Sequence, residues 1–170
     1  MEVDVTPTFL MFIGRFQIPD ADAMNHELRG FILAKEAEYA RLGHSNIGGG
    51  HSSPDVFHNS DPSVVALTTW VSWMLNQMIG ATAGPEEIKG VLSLSAWAAV
   101  CRAGAYHAPH SHRDSAWSGV YYVDAGVHSS DRPLSGVHEF LDFRAAVEAV
   151  SAPGDPYGKP LIWPRSQGRS

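Results

Sequence analysis

The stretch "YHAPHSHRD", residues 106–114, holds His107, His110, His112 and Asp114, and so a third of the nine histidines in this 170-residue chain. On extended backbone successive side chains alternate, which puts His110, His112 and Asp114 on one face. Two such donors can take adjacent positions around one metal ion, and a remote histidine can add a third. Two histidines and a carboxylate with positions left open form the ligand set of non-haem Fe(II) sites that use O2. Imidazole suits zinc as well, so a zinc hydrolase is a rival reading. That rival lacks a Glu or Asp at a base position beside the ligands. A bare His-x-His pair is also a common surface feature, so the surrounding chain has to decide.

Which elements would position these residues? "TFLMFIGR" (8–15) is a short apolar run closed by glycine and reads as a strand. "PDADAMNHELRGFILAKEAEYARLG" (19–43) reads as a helix, with Asp20 or Asp22 near its start, Leu28, Phe31 and Ile32 on one side, and Gly43 as its stop. A polar, glycine-rich loop covers 44–61 and has the length of a lid or binding loop. "PSVVALTTWVSWMLNQMIG" (62–80) begins with a proline where helices accept one. Val64, Leu67, Val71, Met74 or Leu75, and Met78 then recur at helical spacing. Beyond Pro85 the character turns to strands, at 91–102, 118–124, 137–143 and 160–164. Two helices followed by strands predict an α+β fold, with the helices packed on an antiparallel sheet or barrel.

The totals restrict the classes. The length suits one domain with a real core, residues 1–170. A net charge of −6 without a Lys/Arg cluster argues against a nucleic-acid surface. No apolar run reaches the roughly 18–20 residues of a membrane span. The opening residues carry an acidic region and no small-residue cleavage site, unlike a signal peptide, so a cytoplasmic protein is expected. It would be a monomer or a homo-oligomer such as a homodimer. The single cysteine, Cys101, excludes an internal disulfide and a cysteine-based zinc site, and a buried, inert thiol is the expectation for it.

A resemblance now enters on specific residues. "GAYHAPHSHRDSAWSGVYYVD" (104–124) resembles the core of a bacterial family of 2-oxoglutarate/Fe(II)-dependent oxygenases. That family carries a glycine, a histidine pair, a gap and then Ser-Gly-Val-Tyr-Tyr-Val. "SNIGGGHSSPDVF" (45–57) is similar to the family's Ser-Asn-x-Gly-Gly-Trp-x-Ser loop, with Gly50 in the place of the tryptophan. "SAWAAV" (95–100) resembles the strand before the histidines. "SGVHEFLDFR" (135–144) resembles its Gly-x-Leu-x-Phe-x-Asp-Pro-Arg segment, with Phe143 replacing the proline. The likeness runs over nearly the whole chain.

The resemblance implies a double-stranded β-helix, a cupin-like jelly roll with the N-terminal helices packed on its sheet. It also implies Fe(II) as cofactor, 2-oxoglutarate and O2 as co-substrates, and oxidation, usually hydroxylation, of a small-molecule or amino-acid-like substrate. Two ligand pairs stay open. Prolyl-hydroxylase relatives have Gly-x-x-Tyr-x-x-His-x-Asp, and laid on that pattern His110 is the first ligand and His112 takes the carboxylate's place. Shifted by two residues, His112 and Asp114 form the ordinary His-x-Asp pair. Carboxylate hardness favours His112 and Asp114, with His110 beside them. By the same resemblance Tyr122 binds the 2-oxoglutarate carboxylate, with Ser118 on its face, while Tyr121 points the other way into the packing. Trp97 is a candidate pocket wall, and Asn46, His51 and Ser52 are candidate substrate contacts. His58 reads as loop polarity and His107 as solvent-facing.

In the family a third metal ligand and an arginine for 2-oxoglutarate follow later, after a Phe-Pro-Ser-x-x-x-His block. His128 and His138 do not stand in that context, and Arg165 and Arg169 have no strand pattern around them. A longer natural protein, with C-terminal strands beyond Ser170, is therefore expected, because a half-built barrel would expose an unpaired edge. The alternative is a non-catalytic or degenerate cupin-like domain that binds a metal or ligand.

Overall fold

The computed structural model describes residues 11–39, 46–83, 90–112, 114–127, 131, 136–141 and 161–163. Within them α1 spans Asp22–Tyr39 and α2 spans Pro62–Thr82. Both helices stand where the spacing placed them. The proposed stop at Gly43 lies outside the described residues. Residues 11–15, the described part of the strand expected at 8–15, and residues 16–18 after them carry no regular secondary structure. They run against α2 instead. A β-carbon on Gly14 would overlap the Met78 side chain and crowd Met74. Phe16 packs its ring 4.7 Å from Trp73 and 5.6 Å from Trp70.

The start of α2 is set by local chemistry. Asp61 Oδ1 accepts from the Ser63 amide at 2.9 Å and from the Ser63 hydroxyl at 2.6 Å, and Pro62 fills the first turn, where no amide is needed. These hydrogen bonds hold the Asp61 carboxyl below its ordinary pKa. The core lies between the helices: Ile18, Leu28, Val64 and Leu67 are buried, and Met24, Phe31, Trp70, Val71, Tyr121 and Val123 pack around them. Met74 and Met78, expected in the same stripe, are only half-buried.

The strands are short and antiparallel. β1 (Asn46–Ile47) pairs with β4 (Tyr106–His107), β2 (Gly50–His51) with β3 (Ala99–Val100), and β5 (His138–Phe140) with β6 (Leu161–Trp163). The result among the described residues is α+β with three separate two-stranded ladders, and a jelly roll is not seen there. Of the strand expected at 91–102, only 99–100 is in a ladder, with a single bridge between Asp55 and Ala96. The strand expected at 118–124 is absent, yet its alternation survives. Tyr121 and Val123 face the core, the Tyr121 hydroxyl donates to Asn25 Oδ1 at 2.6 Å, and Arg29 pairs with Asp124 at 3.1 Å. Side chains of α1, rather than a neighbouring strand, fix this segment. No helix among the described residues is long and apolar enough to cross a membrane.

Candidate functional site

The glycine-rich loop is laced onto the segment that leads to the histidines. β1 aligns Asn46 with His107 and Ile47 with Tyr106, and β2 aligns Gly50 with Val100 and His51 with Ala99. The turn between them needs Gly48, whose φ of +77° is a left-handed conformation that side-chain-bearing residues rarely adopt. Ser52 then carries the β2–β3 pairing one residue further. Its amide donates to the Ala98 carbonyl at 2.9 Å, and the Ala98 amide donates to Ser52 Oγ at 2.8 Å. The hydroxyl stands in for a strand carbonyl. It donates in turn to the Ser53 carbonyl at 2.8 Å, and Ser52 is 2% exposed. Ser52, a candidate substrate contact from sequence, thus has its hydroxyl committed to holding the loop. From the other side Arg102 forms a two-point ion pair with Glu36 of α1, which holds the Glu36 carboxyl below its ordinary pKa.

This lacing brings five rings into one series. The ring of His51, which is buried, stacks 5.5 Å from Trp97, and Trp97 lies 5.3 Å from His112. His112 meets His110 edge-on at 4.8 Å, and His110 lies 6.4 Å from His107. Three of the four candidates from the loop and the preceding strand therefore gather here by backbone or ring. They are His51, Trp97 and Asn46, the last placed by β1 opposite His107. His107, expected to be a solvent-facing loop residue, sits in β4 and is exposed. Partial desolvation, with His110 and His51 nearby, holds its pKa below the ordinary 6.5.

The described residues of 109–115, which are 109–112, 114 and 115, are in no strand, whereas the one-face expectation rested on extended backbone there. β4 ends at His107, and Pro109 follows, which has no amide to continue a ladder. His110 and His112 still come together, but Asp114 is exposed at a turn. Among the described residues no three His, Cys, Asp or Glu side chains converge to hold a metal ion.

The ring spacing of the two imidazoles nevertheless agrees with a pair that shares an ion. His110 Nδ1 lies 2.8 Å from the Ala108 carbonyl, which can only accept, so Nδ1 is the donor of that contact and Nε2 is the nitrogen left to face a metal ion. Metal-bound histidines are oriented by this kind of contact. Two imidazoles at right angles on one ion, each with a nitrogen about 2.1 Å away, have ring centres about 4.6 Å apart. The observed 4.8 Å is close to that.

Tyr122 and Ser118 lie in the following segment. Ser118 is exposed, and Tyr122 is half-buried with its hydroxyl 3.4 Å from His138 Nδ1 in β5. His138 stacks on Phe140 at 4.6 Å, and burial lowers its pKa. Nothing in the sequence pointed to His138 as a neighbour of Tyr122, because 16 residues separate them. The Ala108 carbonyl and the Ser52–Ala98 pairing left no signal either, being backbone contacts. His58 is exposed in a short 3₁₀ turn at Val56–His58, as expected of loop polarity. Cys101, expected to be buried, is exposed. His44, His128, Arg165 and Arg169 lie outside the described residues.

Residues 95–160 match a family model described as "Putative 2OG-Fe(II) oxygenase". No curated protein matches the chain, and no solved structure does. The matched segment includes Trp97, His107, His110, His112, Asp114, both tyrosines and His138. Over residues 95–160 the chain is therefore similar to the 2OG-Fe(II) oxygenases that this model describes.

Proposed function

We propose that this protein is a 2-oxoglutarate- and Fe(II)-dependent oxygenase, a hydroxylase of a small-molecule or amino-acid-like substrate. The observation that carries this is the His110–His112 pair, with ring centres 4.8 Å apart and His110 oriented by the Ala108 carbonyl, inside the family match. Bound Fe(II) and 2-oxoglutarate would supply the oxidative decarboxylation that drives substrate oxidation by O2. The chain's own residues hold and orient. His112 is the ligand common to both pairings, and the contact to Ala108 favours His110 over Asp114 as its partner. A third donor is still required, and the double-stranded β-helix expected of such enzymes is part of the same reading. Tyr122 offers its hydroxyl to the 2-oxoglutarate carboxylate, with Ser118 beside it. Trp97 and His51 form an aromatic wall that keeps water from one side of the pair.

Calorimetric titration with Ni(II) or Mn(II) tests the reading. His112→Ala should abolish binding, His110→Ala should reduce it strongly, and Asp114→Ala should be the mild change. Unaltered affinity in His112→Ala would overturn the reading. A greater loss in Asp114→Ala than in His110→Ala would make His112 and Asp114 the pair.

A further inference from the structure

Resting on that reading of His112, we infer that Trp97 is a positioning residue. It fixes the His112 ring and couples the docking of loop 46–52 to metal affinity. A single bond turns the imidazole about its Cβ–Cγ axis, so a ligand ring needs a lateral contact or a hydrogen bond to stay aimed. His110 has the Ala108 carbonyl for this. His112 is held by the indole, at 5.3 Å and 34° between planes. Offset contacts of this kind contribute beyond simple burial.

Trp97 itself is 37% exposed, so it is not clamped by the core. Among the described residues it also stacks on His51, at 5.5 Å and 23° between planes. His51 is rigid for three separate reasons: it is 9% exposed, it is paired opposite Ala99 in β2, and its Nδ1 donates to the Ser52 carbonyl at 2.7 Å. Ser52 is in turn locked to Ala98, the residue after Trp97. The order is therefore fixed by the fold. Ser52 and β2 seat the loop, the loop seats His51, His51 backs the indole, and the indole holds His112. When the loop is undocked, the indole loses its backing and His112 gains rotational freedom, which weakens a metal bound through it.

The test uses the full chain and two readouts. In metal-free protein, the carbon-bound imidazole protons of His112 should be shifted by the indole ring current. Trp97→Leu should return them toward random-coil positions, Trp97→Phe should do so in part, and His51→Ala should broaden or displace them although residue 112 is unchanged. With Co(II), whose visible spectrum reports ligand geometry, Trp97→Leu should weaken binding about 10- to 100-fold, the range found for residues that orient metal ligands. Trp97→Phe and His51→Phe should recover most of that loss. Wild-type His112 shifts in Trp97→Leu would overturn the inference, whatever happens with metal. So would shifts that change while Co(II) affinity and spectrum stay at wild type, provided His112→Ala abolishes binding. Should His112→Ala itself bind Co(II) normally, the oxygenase reading fails and the coupling to metal fails with it. Global unfolding of Trp97→Leu is recognised by loss of the dispersed core signals, and Trp97→Phe then carries the same comparison.

Discussion

Replacing Ser52 by alanine isolates the contact that seats the glycine-rich loop. The hydroxyl gives the Ala98 amide its acceptor at 2.8 Å, and the side chain is buried at 2% exposure, so water does not readily substitute for it. An amide deprived of its partner in such a place costs about 1–3 kcal/mol. The donation to the Ser53 carbonyl adds little, because that oxygen can be rehydrated. For a chain of this length each kcal/mol lowers Tm by about 2–4 °C, so a fall of roughly 2–12 °C is expected. The local effect should be sharper. Amide exchange at Ala98 should quicken by about 5- to 150-fold, the factor equivalent to that free energy, while amides in the middle of α2 change less. Ser53→Ala, which removes only a hydroxyl donating to the exposed Asp55 carboxylate, serves as the control and should leave Tm unchanged. Equal exchange at Ala98 in Ser52→Ala and wild type would refute the reasoning, since the hydroxyl would then not be the acceptor on which the loop depends.

Two further outcomes follow from the packing and the titrating groups. Leu28 is 1% exposed among Ile18, Val64 and Leu67, so Leu28→Ala should cost about 2–5 kcal/mol, measured by urea unfolding, whereas Val65→Ala on the exposed side of α2 should be close to neutral. His107 and His138 both have pKa values lowered from 6.5 in the fold, chiefly by desolvation. A lowered folded pKa means that the unfolded chain binds protons first. Stability of the metal-free protein should thus be fully present above about pH 6.5 and fall as the pH drops toward the folded values. His138→Gln should flatten part of that fall in a series of thermal melts, and an unchanged pH profile in a His107/His138 double variant would contradict the assignment.

What the sequence determined by itself is local. Pro62 after Asp61, with apolar residues three and four apart, is enough to specify α2, because capping and periodicity act within a few residues. The same holds for α1 and for the alternation that sends Tyr121 into the core and Tyr122 away from it. The dense histidines of 106–114 and the Ser-Gly-Val-Tyr-Tyr block carried the resemblance to the oxygenases whose family model matches residues 95–160, since that signal lies in residue types and spacing. Strand lengths were not legible. An apolar run does not say whether a partner strand will meet it, and residues 11–15 and 118–124 found helices instead. Nor could spacing show that the backbone leaves the ladder after His107 and that Asp114 stands exposed at a turn. Only the tertiary structure decided that His51, 61 residues before His112, is joined to it through Trp97. That arrangement comes from strand register and one serine hydroxyl, and such long-range backbone pairing leaves no periodicity along the chain.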